Sequence, residues 1–390
     1  NIKQCYRASW IKEKLEYSGT SPKRLRAALN KVNLESYTKL LYEEIADIKP
    51  NIIVPLDDMA LAVVFPHINV IRKPKGRKYW IYCYRGSVLP LREDWQAKIG
   101  IEHPIKVIPT MSPQILYNDW AAQSYVQLDY KKIAKFKDNR LPIQEEGFCW
   151  VAKTANSFQE FINRGYAYCE RTNKWRLTHD DETWGGLITC TSFCFDGWEA
   201  CTVPLTDTNI PSGERLLLWR QIAKLHGDPR LEKNNQNIKY DWIIDERHGF
   251  ILSNVRSDTM LKGSLIYPEL PKGLDFYTSI YTNNPYYKDE GKEFNPKIHT
   301  RDRLYIYCAK DSLNAHIISN KMDVELEEIG LKNFYEEEVA PSILIYKNID
   351  EIGILEDEKQ KNKLHNKYTT LYKTKLDILR GYVNDDKLNP

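Results

Sequence analysis

The chain has 390 residues, with 56 basic and 53 acidic side chains and a formal charge of +3. This length predicts two or three domains, while 42% hydrophobic and 12% aromatic residues exclude a disordered polyelectrolyte. No stretch approaches the about eighteen apolar residues of a membrane span, and no signal-peptide pattern follows Asn1. We therefore expect a cytoplasmic protein without a membrane partner.

The cysteines favour neither a disulfide framework nor structural zinc. Eight cysteines are spread over the chain, and no two of them form a Cys-x-x-Cys pair. Cys190 and Cys194 lie in a stretch rich in Thr, Phe and Ile, which predicts that they belong to the core of a sheet.

The first part of the chain alternates helix-like and strand-like segments. A helix is predicted over residues 23–45, a strand at 51–56, a helix start at 59–62 and a second strand at 107–109. This alternation indicates an α/β layer fold for a first domain over residues 1–135. The polar, basic stretch 131–146 predicts a linker, although its charges could also follow a phosphate backbone.

A second domain over residues 146–325 shows β-patterned runs at 175–178, 186–195 and 199–203, followed by helical runs at 214–226 and 241–247. This order also fits an α/β domain. A third region over residues 326–390 is helical in period from Asn333, with apolar residues spaced for one buried face. Those residues are Tyr335, Ala340, Leu344, Ile349 and Ile354.

An acidic motif opens the second domain. On a strand, Asp180 and Glu182 share one face while Asp181 points to the other. Two neighbouring carboxylates are stabilised by a positive charge between them, and hard cations such as Mg²⁺ prefer oxygen ligands. An acidic turn on a solvated face is the alternative interpretation.

Two further elements follow downstream. Asp241 begins an apolar helical run, where it is either a ligand or simply an acid that complements the helix dipole. Tyr307 and Asp311 lie four residues apart in a predicted helix over residues 304–318, and therefore one turn apart on one face. A buried tyrosine with a satisfied hydroxyl explains Tyr307 equally well.

In order and detail these elements resemble the DEDD exonucleases, and specifically the 3′ to 5′ proofreading domain of family A DNA polymerases. Residues 180–183 match its Asp-x-Glu-Thr motif, residues 237–241 match Asn-x-Lys-Tyr-Asp, and Tyr307 with Asp311 matches Tyr-x-x-x-Asp. The resemblance implies a ribonuclease H-like domain, with a mixed sheet flanked by helices.

The resemblance also implies roles for the residues. Asp180, Glu182 and Asp311 would hold one divalent metal ion, and Asp180 and Asp241 a second, each Mg²⁺ or Mn²⁺. Tyr307 would orient the attacking water. Thr183 and Asn237 would bind the substrate, which is single-stranded DNA or a frayed 3′ end.

The first domain resembles a different family, the family 4 uracil-DNA glycosylases. The likeness lies in residues 50–56, Ala60, the Arg85-Gly86 pair, residues 107–110 and the Ser112-Pro113 pair. Ser112 stands where that family has a loop histidine, and Asp57 where it has a glycine. The resemblance implies a three-layer α/β domain that is not catalytic.

Residues 331–390 resemble the segment that leads into the thumb of family A polymerases. Such a fusion is typical of bacteriophage replication proteins, which implies that the remainder of a polymerase chain is a partner and that a bacterial host cell is the location. A non-catalytic DNA-binding or polymerase-docking module is the rival interpretation. The loop over residues 283–291 either grips a frayed primer end by stacking or is an ordinary surface loop.

Overall fold

The computed structural model of the chain describes residues 34–67, 80–117, 120, 122–137, 147–292, 294 and 300–382. Contacts divide the chain into two units, Asn1–Ile343 and Leu344–Pro390. The beginning of the first predicted helix and residues 138–146 of the predicted linker lie outside the described residues. The predicted boundaries of the three domains stay predictions.

The first part of the larger unit is a small three-stranded sheet with short helices. Its strands run in the order β1-β3-β2, with β1 parallel and β2 antiparallel to β3. Buried Leu61, Leu89, Trp95 and Val107 belong to its core. The elements are α1 (Leu34–Ile48), β1 (Ile52–Ile53), α2 (Asp58–Val64), α3 (Ile81–Tyr84), β2 (Leu89–Pro90), α4 (Glu93–Ile99), β3 (Lys106–Val107), a 3₁₀ turn (Pro113–Tyr117) and α5 (Ala122–Phe136).

The second part is built on a six-stranded mixed sheet in the order β4-β7-β6-β5-β8-β9. Strands β5, β6 and β7 form an antiparallel meander, whereas β4 pairs with β7, β8 with β5 and β9 with β8 in parallel. The strands are β4 (Phe148–Val151), β5 (Arg176–Trp184), β6 (Leu187–Cys194), β7 (Glu199–Pro204), β8 (Glu232–Asn235) and β9 (Val255–Asp258).

Helices follow and flank these strands. They are α6 (Ala155–Thr172), α7 (Ser212–Gly227), α8 (Ile238–Arg247), α9 (Thr259–Ile266), α10 (Leu274–Tyr281), α11 (Asp289–Lys292), α12 (Arg301–Glu328), α13 (Lys332–Phe334), a π turn (Tyr335–Val339), α14 (Ala340–Ile352) and α15 (Glu358–Tyr382). The mixed α/β fold, with a mixed sheet flanked by helices, is therefore as the sequence predicted.

Alternation along the strands separates two faces of the large sheet. Leu177, Phe193 and Cys201 belong to the core shared with α6, α7 and α8, whereas Cys190 and Cys194 pack against α12. Both cysteines are buried, as predicted. Helix α12 lies against β4 through β8. We call the α12 side the front face and the α7 and α8 side the back face.

The predicted linker is wrong over its first residues, because α5 continues through Phe136. Lys132 is buried in that helix, and its Nζ donates hydrogen bonds to the carbonyls of Gly86, Ser279 and Thr282. A buried ion pair between Arg85 and Asp129 lies beside it. These charges join the first and second parts of the chain.

The smaller unit consists of the end of α14 and all of α15, which are helical as the period predicts. In the larger unit, Tyr335 and Ala340 of the predicted apolar face are buried. Leu344, Ile349 and Ile354 are exposed, so the prediction of one buried face is wrong over that stretch. None of the helices that the structure describes is long and apolar enough to span a membrane.

Candidate functional site

Strand β5 carries the first acidic motif at the centre of the large sheet. Its antiparallel ladder with β6 pairs Asp180 with Ser192 and Glu182 with Cys190, and the register shifts immediately after Glu182. Because successive residues face opposite sides of a strand, Asp180 and Glu182 point to the front face. The bulge falls where the strand leaves the site.

Helix α12 brings the third carboxylate to the same place. Oxygen atoms of Asp180, Glu182 and Asp311 all lie within 4.8 Å of one another. Tyr307 precedes Asp311 by one turn and is also buried. Asp180 and Glu182 thus share one face of β5, and Asp311 of α12 lies against them.

Asp241 lies beside this cluster, in the first turn of α8. Asn235 donates a hydrogen bond to its Oδ2 at 2.8 Å, and the backbone NH of Asp181 donates to its Oδ1 at 3.2 Å. The two bonds fix the carboxylate against β8 and β5. The charge of Asp180, after burial, contributes to the raised pKa of Asp241.

The start of α8 is itself held by a second acid. Asn237 precedes the helix in the left-handed region, at φ +60°, which asparagine tolerates better than most residues. Asp258 accepts hydrogen bonds at 3.0 Å from the backbone NH groups of Asn237 and Ile238. Asp258 thereby fixes the turn that places Asp241.

The carboxylates lie in a region of strongly negative electrostatic potential. Burial, followed by repulsion from Asp311, raises the pKa of Glu182 to about 8. Burial and the neighbouring acids also raise the pKa values of Asp180 and Asp241 well above the usual range. Burial and Asp311 likewise raise the pKa of Tyr307, so its phenol stays protonated. The site is therefore a place where added positive charge is favourable.

A lysine supplies that charge in the structure. Lys288 Nζ lies 2.7 and 2.6 Å from the two carboxylate oxygens of Asp311 and 3.1 Å from the Tyr307 hydroxyl. Burial alone would lower the pKa of Lys288, but Asp311 and Asp180 raise it above its usual value. Sequence reasoning placed the loop that carries Lys288 near the substrate, and did not assign the lysine to the carboxylates.

The same loop packs tightly on α12. Tyr287 donates a 2.6 Å hydrogen bond to Asp311, and a Cβ atom at Gly291 would lie only 2.6 Å from the Tyr307 ring. Tyr286 and Tyr287 are both buried. The hypothesis that these tyrosines stack on nucleotides is therefore wrong for this structure, because the rings are engaged inside the protein.

The two predicted substrate residues lie at the rim. The Thr183 hydroxyl is 3.4 Å from that of Tyr240, and Asn237 is partly exposed. A groove of about 550 Å³ opens beside the site, and Lys272, Lys288 and Tyr307 contribute to its lining.

The donor set fits divalent metal ions. Carboxylate oxygens are the ligands that Mg²⁺ and Mn²⁺ prefer, and Asp180, Glu182 and Asp311 present them at one point. The Lys288 ammonium stands in for a cation there. Asp241, which the sequence predicted as a ligand of a second ion with Asp180, is not among the three acids that converge within 4.8 Å.

Comparison with known proteins assigns no family. No described protein family and no curated protein matches the sequence. Among solved structures, the chain is similar to the POL domain of Pol1 from M. smegmatis in complex with DNA primer-template and dNTP, with 15% identity over 55% of this chain and a TM-score of 0.40. The match spans 35% of the Pol1 chain.

Two other solved structures are similar to this chain over about half of its length. NrnC from Brucella melitensis shows 14% identity over 53% of this chain and 93% of its own, with a TM-score of 0.36. The catalytic core of RRP6 from Trypanosoma brucei shows 11% identity over 52% of this chain and 55% of its own, with a TM-score of 0.39. Similarity at this level leaves the function to be argued from the site.

Proposed function

We propose that this chain is a metal-dependent 3′ to 5′ exodeoxyribonuclease, the proofreading part of a bacteriophage-type family A DNA polymerase. The observation that carries the proposal is the convergence of Asp180, Glu182 and Asp311 within 4.8 Å, one helical turn from Tyr307. The first domain is proposed as a non-catalytic relative of uracil-DNA glycosylases, and residues 326–390 as the beginning of the thumb. The remainder of the polymerase chain is the proposed partner.

Each residue has a definite task in this proposal. Two bound ions, Mg²⁺ or Mn²⁺, supply a nucleophilic water near neutral pH and stabilise charge on the leaving oxygen. Asp180, Glu182 and Asp311 would hold one ion, and Asp180 with Asp241 the other. Tyr307, whose phenol stays protonated, positions the attacking water by hydrogen bonding.

The groove beside the site accounts for the expected strand preference. Only a strand released from its partner reaches carboxylates that lie this close to the floor of the sheet, and each base-pair step opened costs about 1.4 kcal/mol. Degradation should therefore be fastest for single strands, slower for mismatched 3′ ends and slowest for matched duplex. Equal rates on matched duplex and single strand would contradict proofreading.

The proposal is tested with single-stranded DNA labelled at either end, in the presence of Mg²⁺ or Mn²⁺. Shortening from the 3′ end is expected, and Asp180→Ala or Asp241→Ala should lower the rate by several orders of magnitude, because each removes a ligand from the chemical step. Glu170→Ala, an exposed acid on α6, is the matched control. Wild-type protein that binds the strand without shortening it would favour the non-catalytic alternative.

A further inference from the structure

A second cluster of polar side chains lies directly behind the acidic site. His179 and Asp181 alternate with Asp180 and Glu182 along β5 and therefore point to the back face of the sheet. His226 reaches them from α7 and Asp245 from α8. All four side chains are buried, and three of them are essentially inaccessible to solvent.

The distances within this back cluster resemble those between ligands of one ion. His179 Nε2 lies 3.3 Å from Asp245 Oδ2, and His226 Nε2 lies 3.8 Å from Asp245 Oδ1. One ligand atom from each of these three residues lies within 4.8 Å of the others. Neighbouring ligands around a tetrahedral zinc ion, at bonds of about 2.0 Å, are about 3.3 Å apart.

These polar atoms lack the hydrogen bonds that burial normally requires. Both ring nitrogens of His179 and His226, and both carboxylate oxygens of Asp181 and Asp245, have no hydrogen-bond partner among the described residues. Asp181 lies within side-chain hydrogen-bonding range of Asp245 and Thr191, but neither contact has hydrogen-bond geometry. Buried polar atoms are nearly always paired, and His179, His226 and Asp245 each place one unpaired atom within 4.8 Å of the others, which points to an occupant between them.

Aromatic rings lie against the back cluster. The rings of Phe193 and Phe250 lie 5.6 and 5.5 Å from the His226 ring, and His179 packs edge-on against His226. The cluster is thus enclosed by the apolar back core. An ion held there would have only protein ligands, which is typical of structural sites and not of catalytic ones.

We propose that His179, His226 and Asp245 bind one Zn²⁺ ion, and that Asp181, which is not within 4.8 Å of all three, would complete the coordination after a rotation of its side chain. Two imidazoles and two carboxylates form a mixed nitrogen and oxygen set, which suits Zn²⁺ and disfavours Mg²⁺. The cysteine spacing predicted no zinc site, and this site uses none of the cysteines. It is separate from the front carboxylates, since it lies on the opposite face of β5.

The site would brace the strand and helix that carry the front acids. Asp181 lies between Asp180 and Glu182, and Asp245 follows Asp241 by one turn of α8. One ion would therefore join β5, α7 and α8, the elements that hold the front site in place. Such an ion binds as the chain folds, because no ligand is accessible from solvent.

The test begins with the metal content of the full chain, purified from zinc-supplemented cells and dialysed against a weak chelator. We expect about one zinc per chain, and the same content in the variant Asp180→Asn/Glu182→Gln/Asp311→Asn, which removes the front ligands. His226→Gln should lose the ion and unfold at lower temperature. Absence of zinc from the wild type, or its loss from the front variant alone, would overturn the proposal.

A second measurement does not depend on whether His226→Gln folds. Anomalous diffraction at the zinc edge from wild-type crystals should place a peak between His179 and His226. Co²⁺ incorporated during expression should show the ligand-field bands of tetrahedral coordination. A peak at the front carboxylates alone, or an octahedral Co²⁺ spectrum, would show that the back cluster is only a proton-sharing network.

Discussion

Substitution of Lys288 tests whether the front carboxylates need a positive charge beside them. Its ammonium group lies 2.6 and 2.7 Å from the two oxygens of Asp311, in a side chain that is only 15% exposed. Lys288→Met keeps much of the apolar stem and removes the charge. Without metal, Asp180, Glu182 and Asp311 then face one another with no cation between them.

The size of the effect follows from the burial of the pair. Removing one partner of a buried ion pair costs about 3–5 kcal/mol, and protonation of the remaining acids places the expected loss near the lower end. A bound metal ion supplies the missing charge, so the metal-bound state of the variant is spared most of this loss. By the thermodynamic cycle, about 3 kcal/mol corresponds to metal binding that is about a hundredfold tighter.

The assay is calorimetric titration of Mn²⁺, with thermal unfolding in chelator and in excess Mn²⁺. Lys288→Met should unfold at a lower temperature in chelator, recover in Mn²⁺ and bind the ion more tightly than the wild type. Lys310→Met is the matched control, since that lysine pairs with Glu290 outside the carboxylate cluster. Unchanged or weaker Mn²⁺ binding by Lys288→Met would refute the idea that the lysine and the metal compete for Asp311.

Three other predictions concern the front site and the core. Tyr307→Phe should slow cleavage of single-stranded DNA about ten- to a hundredfold, because water is less well oriented; a rate as low as that of Asp180→Ala would contradict this role. Because the pKa of Glu182 is raised to about 8, the folded chain keeps a proton that the unfolded chain releases. The free energy of unfolding in chelator should therefore fall between about pH 4.5 and 8, with a flatter profile for Glu182→Gln; equal slopes would argue against it. Gly165→Ala should destabilise by about 1–3 kcal/mol in urea unfolding, since its Cβ would lie 2.3 Å from the Phe195 ring. Gly213→Ala, which meets no neighbour, is its control and should not destabilise.

The sequence could predict that Asp180 and Glu182 share one face, and that Tyr307 and Asp311 share another, because each depends on local periodicity. That the two pairs meet depends on the contact between β5 and α12, which the sequence indicated only through the family resemblance. The alternation of β5 places Asp180 and Glu182 on one side, and the helical repeat places Tyr307 one turn from Asp311. The burial of Cys190 followed from the apolar pattern of β6 in the same way.

What the sequence could not predict depends on contacts between distant segments. Lys288 reaches Asp311 only because its loop folds back over α12. His226 and Asp245 belong to separate helices, and no spacing rule connects either to His179. Lys132 looked like part of a solvated linker, and three distant carbonyl groups make its burial in α5 possible.

The buried charges between the first and second parts bear on how this protein can be dissected. Arg85 and Lys132 are satisfied by Asp129 within the first part and by Ser279 and Thr282 of the second. If either part were produced alone, these charged and polar groups would be exposed to solvent and would lose their hydrogen-bond partners in the other part. If the two parts are co-expressed as separate polypeptides, divided between residues 137 and 147, we expect them to copurify as a complex. The two parts would then differ in sequence pattern but would not fold independently.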